Sequence, residues 1–456
     1  MKKLVALLLC LALSLGTVAA LADTTLTLGI WPTDTDTRGL EVNENVFLPA
    51  YQALYPDVTV VKQNLEYSVD TFIPLAESGK LPTIFTTWFT EPGKLIRAGF
   101  VADITDAMIE KGWLEKLSPS VRELAMHEGR VYGIPNNAYA LGMMINAELF
   151  EEAGLVDDDG LPLYPKTWDE LIERAKIIKD ETGSAGLVLL AMDNAAGWHF
   201  TTIAWSYGAT LEVLGEDGKW TANLNSPEAV AALQMVKDMK WEHDILTGDP
   251  TNESWSTGFQ QLGTGMAAMY IAADDAVAQP TANYGLPTDK LMMCGMPAGP
   301  AGAFELIGGN MFMFSADATH DEIIAALNWL EINGRAPILT ETTREGLAAD
   351  AKNNAEKGVP VIRSLSGWVD EEYNAARLEV IDEYANVDPR MFEPYFEATA
   401  LPGALRGEEP VQTQDLYSEL TKALQEVLTN KDADVQAVLD IANANFQALL
   451  DESVNK

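Results

Sequence analysis

The chain has 456 residues, 47% hydrophobic and 21% charged, a balance that fits a globular protein with room for two or three domains and excludes global disorder. Thirty Lys and Arg stand against 68 Asp and Glu, a net charge of −38 that repels phosphate backbones and anionic lipid and so argues against nucleic-acid and membrane-surface binding. Two Cys rule out a disulfide framework, and four His leave little material for a His-rich metal centre.

Lys2 and Lys3 precede an apolar run over residues 4–15, and Ala20-Leu21-Ala22 is an A-x-A cleavage signal. Residues 1–22 therefore read as a secretory signal peptide cut after Ala22. The apolar run is shorter than the ~20 residues a spanning helix needs. Cys10 lies inside that run without the small residue a lipobox places before its Cys, which argues against a lipid anchor there. Residues 24–30 alternate polar and apolar side chains and predict a strand. A Thr/Asp-rich loop over 31–39 follows. A helix then carries Val46, Phe47, Ala50 and Leu54 on one face and stops before Pro56. Residues 58–61 and 81–86 read as the next strands, and this alternation is an α/β layer architecture. Further strands are expected over 186–190 and 268–272.

Helix starts are plain at several places. Thr167 with Glu170, and Thr319 with Glu322, are capping boxes. Ser226-Pro227 places a cap before a proline at the first helical position. Residues 416–450 predict two amphipathic helices broken near Asn430, with Leu416, Leu420, Leu424 and Val427 as one apolar stripe. Asp157-Asp158-Asp159-Gly160 reads as a solvated turn, since the downstream ligands of a calcium loop are missing.

Catalytic motifs are absent. There is no Walker loop and no dinucleotide-binding glycine pattern. Thr182-Gly183-Ser184-Ala185-Gly186 displaces the first Gly of a nucleophile elbow by one position. His127, His199, His243 and His320 pair with no other His at helical spacing. Carboxylate pairs carry no information in a chain with 68 acids. No metal and no cofactor is expected.

Several segments, in order, resemble the extracellular solute-binding proteins of ABC sugar importers, the family of maltose-binding protein. They are Ala50 through Val60 with its Tyr55-Pro56 turn; Gly79-Lys80-Leu81-Pro82 through Thr105; Glu128-Gly129-Arg130-Val131-Tyr132-Gly133-Ile134-Pro135; Met144 through Leu155; Pro165 through Leu171; Gly263 through Met269; and Gly308-Gly309-Asn310. The family usually carries Pro-Asp where this chain has Pro82-Thr83, a small departure.

The resemblance implies a type II periplasmic-binding-protein fold, two α/β lobes joined by crossing segments and closing on ligand like a hinge. Residues 23–134 plus 313–355 are expected in one lobe, and 138–308 plus 365–456 in the other. Ligands in such folds sit beyond the carboxyl ends of strands. Eleven Trp suit a sugar, whose C–H faces stack on aromatic rings while Asp, Asn and Glu engage its hydroxyls. The candidate contacts are Trp31, Asp34 and Asp36 in the first loop, and Thr87, Trp88, Thr90 and Glu91 in the third. Asn136, Asn137 and Tyr139 mark the first crossover, and Asn310 the second. Asp193, Asn194 and Trp198 follow one second-lobe strand, and Asp274 and Asp275 another. Trp31, Trp88 and Trp198 are expected to stack on sugar rings. Glu91 has a competing role in a helix first turn, and the asparagines and first-loop aspartates as turn residues. The implied partners are a small-molecule carbohydrate and an ABC permease, with the chain a monomer acting in the periplasm or cell envelope. Anionic ligands are disfavoured, because Arg38 is the only basic residue of the first loop and Lys94 follows the third. A polyamine receptor remains open on the same acids and aromatics, and a secreted glycoside hydrolase is a further alternative.

Overall fold

The computed structural model describes residues 24–69 and 71–456. The expected signal segment 1–22, Cys10 included, lies outside them. Nine strands matter for the site: β1 (Thr24–Leu28), β2 (Val58–Lys62), β3 (Ile84–Trp88), β4 (Gly133–Asn146), β5 (Ala185–Val188), β6 (Ala267–Ala273), β7 (Leu291–Cys294), β8 (Glu305–Phe314) and β9 (Leu405–Gly407). Five helices recur below: α1 (Asp193–Ser206), α2 (Trp255–Gly263), α3 (His320–Ile332), α4 (Thr413–Thr429) and α5 (Val435–Ser453).

The hydrogen-bonded order is β2-β1-β3-β8-β4-β6-β5, with β7 on β4 and β9 on β8. β1 runs parallel to β2 and β3, whereas β8 is antiparallel to both β3 and β4. The long strand β4 changes partners midway. Up to Ala140 it pairs with β8, and from Leu141 onward with β6 and β7.

Buried side chains separate into two large cores. The first gathers Leu26, Phe85, Trp113, Ile134, Phe312 and Trp329. The second gathers Met144, Leu187, Phe200, Tyr270, Leu420 and Phe446. β4 and β8 pass through both: Ala138 and Met311 belong to the first core, Ala140 and Leu306 to the second. Residues on either side of this crossing thus share one hydrogen-bonded path but not one core. Trp368 and Tyr373 pack in the first core, although the expected second-lobe segment starts at residue 365. Ala351, Val361 and Val380 form a small third cluster.

The capping boxes form at Thr319–Glu322, and Thr167 caps its helix through the Glu170 amide. Two expectations shift. The helix before Pro56 contains a π-helical turn at Asn43–Phe47, and Val46 and Leu54 are exposed. Tyr51 takes the buried face instead, because its ring packs on Trp329 (5.5 Å between centroids) and its hydroxyl donates to Ala325 O at 2.9 Å. The third strand runs Ile84–Trp88 rather than over 81–86, since Pro82 has no N–H to give a ladder and Trp88 pairs with Asn310.

Candidate functional site

Where the strands of both cores end, a cleft of about 560 Å³ opens. That volume suits a small organic ligand. Trp88 and Thr90 reach it from the end of β3, Tyr139 and Gly309 from the crossing strands, and Asp275, Ala276 and Gln279 from the turns after β6. Asp193, Asn194 and Trp198 come from the first turns of α1, Trp255 from the start of α2, Glu408 from just after β9, and Gln414 and Tyr417 from the first turns of α4.

The aromatic wall is continuous. Trp198 meets Trp255 at 5.4 Å between ring centroids and Tyr139 edge-on at 6.1 Å. Opposite, Trp88 is 38% exposed, held edge-on by Tyr67 at 5.2 Å, and so presents free ring surface. Trp198 was expected in a loop; it lies inside α1, one turn from its start. Asp193 opens that helix with a left-handed φ of 57°, a conformation Asp tolerates and bulkier residues resist.

Polar groups are wired across the cleft. Asn194 Nδ2 donates to the Gln414 backbone and side-chain oxygens, both at 3.0 Å, and Gln414 Nε2 donates to Thr90 Oγ1 at 3.3 Å. Thr90 Oγ1 donates to Glu91 at 3.0 Å, and the Tyr67 hydroxyl also donates to Glu91. The Tyr417 hydroxyl donates to Glu408 at 2.7 Å. Burial pushes the Glu408 carboxyl up to about 8, with the nearby Glu91 adding to the shift. Burial, then the charge of Asp274, pushes Asp275 up to about 6. Burial also raises the Tyr139 hydroxyl, so it stays a neutral donor.

The candidate residues divide accordingly. Trp88, Thr90, Tyr139, Asp193, Asn194, Trp198 and Asp275 line this cleft. Asn137, Asn310 and Asp274 stand just behind it. Asn137 Oδ1 accepts from Asn310 N at 2.9 Å and Nδ2 at 3.1 Å, and Asn137 Nδ2 donates to Asp275 at 3.2 Å. Asp274 is buried, accepting from Ala140 N at 3.1 Å and the Tyr395 hydroxyl at 3.0 Å. Thr87 is buried within β3, and its hydroxyl donates to Trp88 O at 3.2 Å. Glu91 is buried and precedes the short helix Pro92–Arg97 without capping it.

The first loop lies elsewhere. Trp31 is 6% exposed and packs on Trp329 at 5.8 Å, in the first core rather than facing this cleft. Asp36 caps Thr37–Val42 by accepting from Gly39 N at 2.9 Å, and Asp34 is exposed. Trp31 and Asp36 line a different cavity of about 640 Å³, together with Arg38, Asn136 and Arg335. A cavity of about 370 Å³ behind the crossing holds Asn136, Asn137, Arg335 and Arg377, and shares Asp275 with the cleft. The Arg335 guanidinium donates to Asn136 Oδ1. These two arginines went unnoticed in the sequence because they lie far from any strand-end loop. Trp255, Glu408, Gln414 and Tyr417 went unnoticed as well. Ser254 with Thr257 forms a capping box that marks the start of α2, and the apolar stripe from Leu416 marks the buried side of α4 next to Tyr417. Among the described residues no group of three or more His, Cys, Asp or Glu converges as a metal site, and no helix is long and apolar enough to cross a membrane.

The sequence model of the bacterial extracellular solute-binding proteins matches residues 41–331. The chain belongs to this family. A Brucella abortus protein named only as a binding protein is 28% identical to this solute-binding protein over 297 residues, 62% of this chain and 66% of the relative. The match thus spans just under two thirds of that relative's length. The sn-glycerol-3-phosphate-binding periplasmic protein UgpB of Agrobacterium fabrum is 25% identical over 234 residues, 48% of this chain and 49% of the relative. Solved structures share the fold of this solute-binding protein. UgpB of Mycobacterium tuberculosis, in complex with glycerophosphocholine, superposes with a TM-score of 0.71 at 16% identity, covering 94% of this chain and 98% of that one. The GacH receptor of Streptomyces glaucescens, solved unliganded and with acarbose, gives 0.69 at 17% identity, with 94% and 99% covered. These neighbours establish the type II periplasmic-binding-protein fold for this chain.

Proposed function

We propose that this solute-binding protein is the extracytoplasmic receptor of an ABC importer and that its ligand is a sugar or oligosaccharide. One observation carries the reading: Trp88 from the first core's strand β3 and Trp198 and Trp255 from the second core line one cleft of about 560 Å³ whose polar lining is carboxylates, amides and hydroxyls. Aromatic faces stack on the C–H faces of a pyranose, while Asp193, Asp275, Glu408 and Gln414 engage its hydroxyls. The acarbose complex of GacH supports the same class of ligand.

Binding couples to motion. β4 and β8 are the axis, and a ligand touching both walls favours the closed arrangement by its differential affinity. The closed pair of lobes then presents one surface to the permease. The proposed lobes are 23–134 plus 313–355 and 138–308 plus 365–456, and the packing of Trp368 and Tyr373 in the first core favours assigning 367–373 to the first lobe. The chain acts as a monomer outside the cytoplasm after removal of residues 1–22. On this reading it binds and delivers ligand without bond chemistry.

A thermal-shift screen against mono- and oligosaccharides tests this. The right sugar at 100 times its dissociation constant adds about 2.7 kcal/mol of stability. No shift with any sugar, or turnover of a chromogenic glycoside, overturns the reading.

A further inference from the structure

We propose that the ligand selected by this cleft carries a protonated amine. The inference rests on the carbohydrate reading and narrows it to amino sugars. Three carboxylates, Asp193, Asp275 and Glu408, line the cleft, and no Lys, Arg or His lines it with them. None of the three takes part in an ion pair among the described residues. Glu408 accepts from the Tyr417 hydroxyl and Asp275 from the Asn137 amide, both neutral donors. The guanidinium groups of Arg335 and Arg377 lie in the separate cavity behind the crossing strands.

The donor and acceptor inventory points the same way. Three carboxylates bring six acceptor oxygens, each with more than one lone pair. Part of the donor set is already used: the Asn194 amide on Gln414, the Gln414 amide on Thr90, and the Thr90 hydroxyl on Glu91. The site therefore lacks positive charge. An ammonium supplies three donors, no acceptor and one positive charge. A neutral hydroxyl supplies a donor and an acceptor, and an acetamide replaces the charge with a neutral amide. Carboxyls withdrawn from water without a cation hold their protons, and a bound ammonium stabilises their ionised form. Trp88, Tyr139, Trp198 and Trp255 offer ring faces to the same cation.

Calorimetry on the full mature chain tests this with four probes: β-1,4-linked glucosamine oligomers, their N-acetylated counterparts, neutral glucose oligomers, and spermidine. Glucosamine oligomers are expected to bind at least tenfold tighter than the acetylated and neutral probes, with affinity falling as salt rises. Glu408→Gln and, independently, Asp275→Asn are each expected to weaken the amine ligand at least tenfold, in variants whose melting shows them folded. Neutral or acetylated oligomers binding as tightly as the amines overturn the ammonium inference and leave the carbohydrate reading standing. Spermidine binding without any sugar upholds the ammonium and overturns the carbohydrate reading. Absence of binding by all four overturns the inference.

Discussion

Gln414 Nε2 donates to Thr90 Oγ1 at 3.3 Å, so α4 of the second core is tied to the end of β3 in the first. A neutral hydrogen bond of this kind is worth about 1 kcal/mol. Gln414→Ala is expected to leave the ligand-free chain more open, with a larger radius of gyration by scattering, and to weaken ligand roughly two- to tenfold. An unchanged scattering curve together with unchanged affinity would show that this bond does not hold the two walls together.

Tryptophans on and off the cleft are expected to separate cleanly. Trp88→Ala, Trp198→Ala and Trp255→Ala each remove a stacking face worth about 0.5–1.5 kcal/mol beyond its buried area, so ligand should bind at least about tenfold more weakly. Trp31 is buried against Trp329. Trp31→Ala should instead cost roughly 3–5 kcal/mol of stability. Paired calorimetry and denaturant melts decide. The opposite pattern would place the ligand beside the first loop.

Gly309 sits where β8 crosses between the cores, and a Cβ there would lie 2.3 Å from Asn137 O and 2.8 Å from the Phe89 ring. Backbone oxygen cannot swing aside as a long side chain can. Gly309→Ala is expected to cost about 1–3 kcal/mol and to spread β4 from β8. Slower ligand-induced closure in stopped-flow tryptophan fluorescence is the further sign. A melt and a closure rate equal to the parent's would count against a tight crossing.

The stability profile with pH follows from buried groups. Burial pushes Glu212 and Glu408 up to about 8, Glu305 to about 7, and Asp274 and Asp275 to about 6, against ordinary values of 4.5 for Glu and 3.8 for Asp. Folded values above unfolded ones mean that the folded chain binds more protons in between. Their contribution is full below the ordinary carboxyl range and is lost as pH rises through 6 to 8. His199 acts in the other direction. Burial holds it down to about 3 against an ordinary 6.5, so its contribution is present above pH 6.5 and is lost as pH falls toward 3. Five carboxyls outweigh one imidazole, and a charge of −38 also eases in acid. The thermal midpoint should therefore peak at about pH 4–4.5. Glu408→Gln should raise the midpoint at pH 8 while it weakens ligand. A midpoint that climbs steadily from pH 5 to pH 8 would contradict this assignment.

The architecture was legible because its signals are local. Alternation marked β1, capping boxes marked α3 and the helix from Trp168, and an apolar stripe marked α4. About half of the cleft was legible too, since strand ends point to Trp88, Thr90, Tyr139 and Asp275. What stayed hidden depends on packing. Trp31 looks free in a polar loop, and only the approach of Trp329 buries it. The apolar spacing of Val46, Ala50 and Leu54 is helical, yet a π-helical turn and the larger area of Tyr51 choose a different face. Glu408 follows the three-residue β9, too short to leave a sequence pattern, and Gln414 and Tyr417 open α4, whose return to α1 is a long-range event that no window of sequence contains.

Thr90 and Gln414, whose bond joins the two walls, stand 324 positions apart in the chain. Closing so long a loop adds entropy cost slowly with length, but it delays the contact in time. A complete ligand seat exists only after α4 has docked on α1. Ligand therefore has nothing to grip while the early nucleus forms, and it should leave the refolding rate unchanged. Its whole effect falls on the reverse process: the occupied protein unfolds more slowly, and ligand acts as a latch on the finished chain.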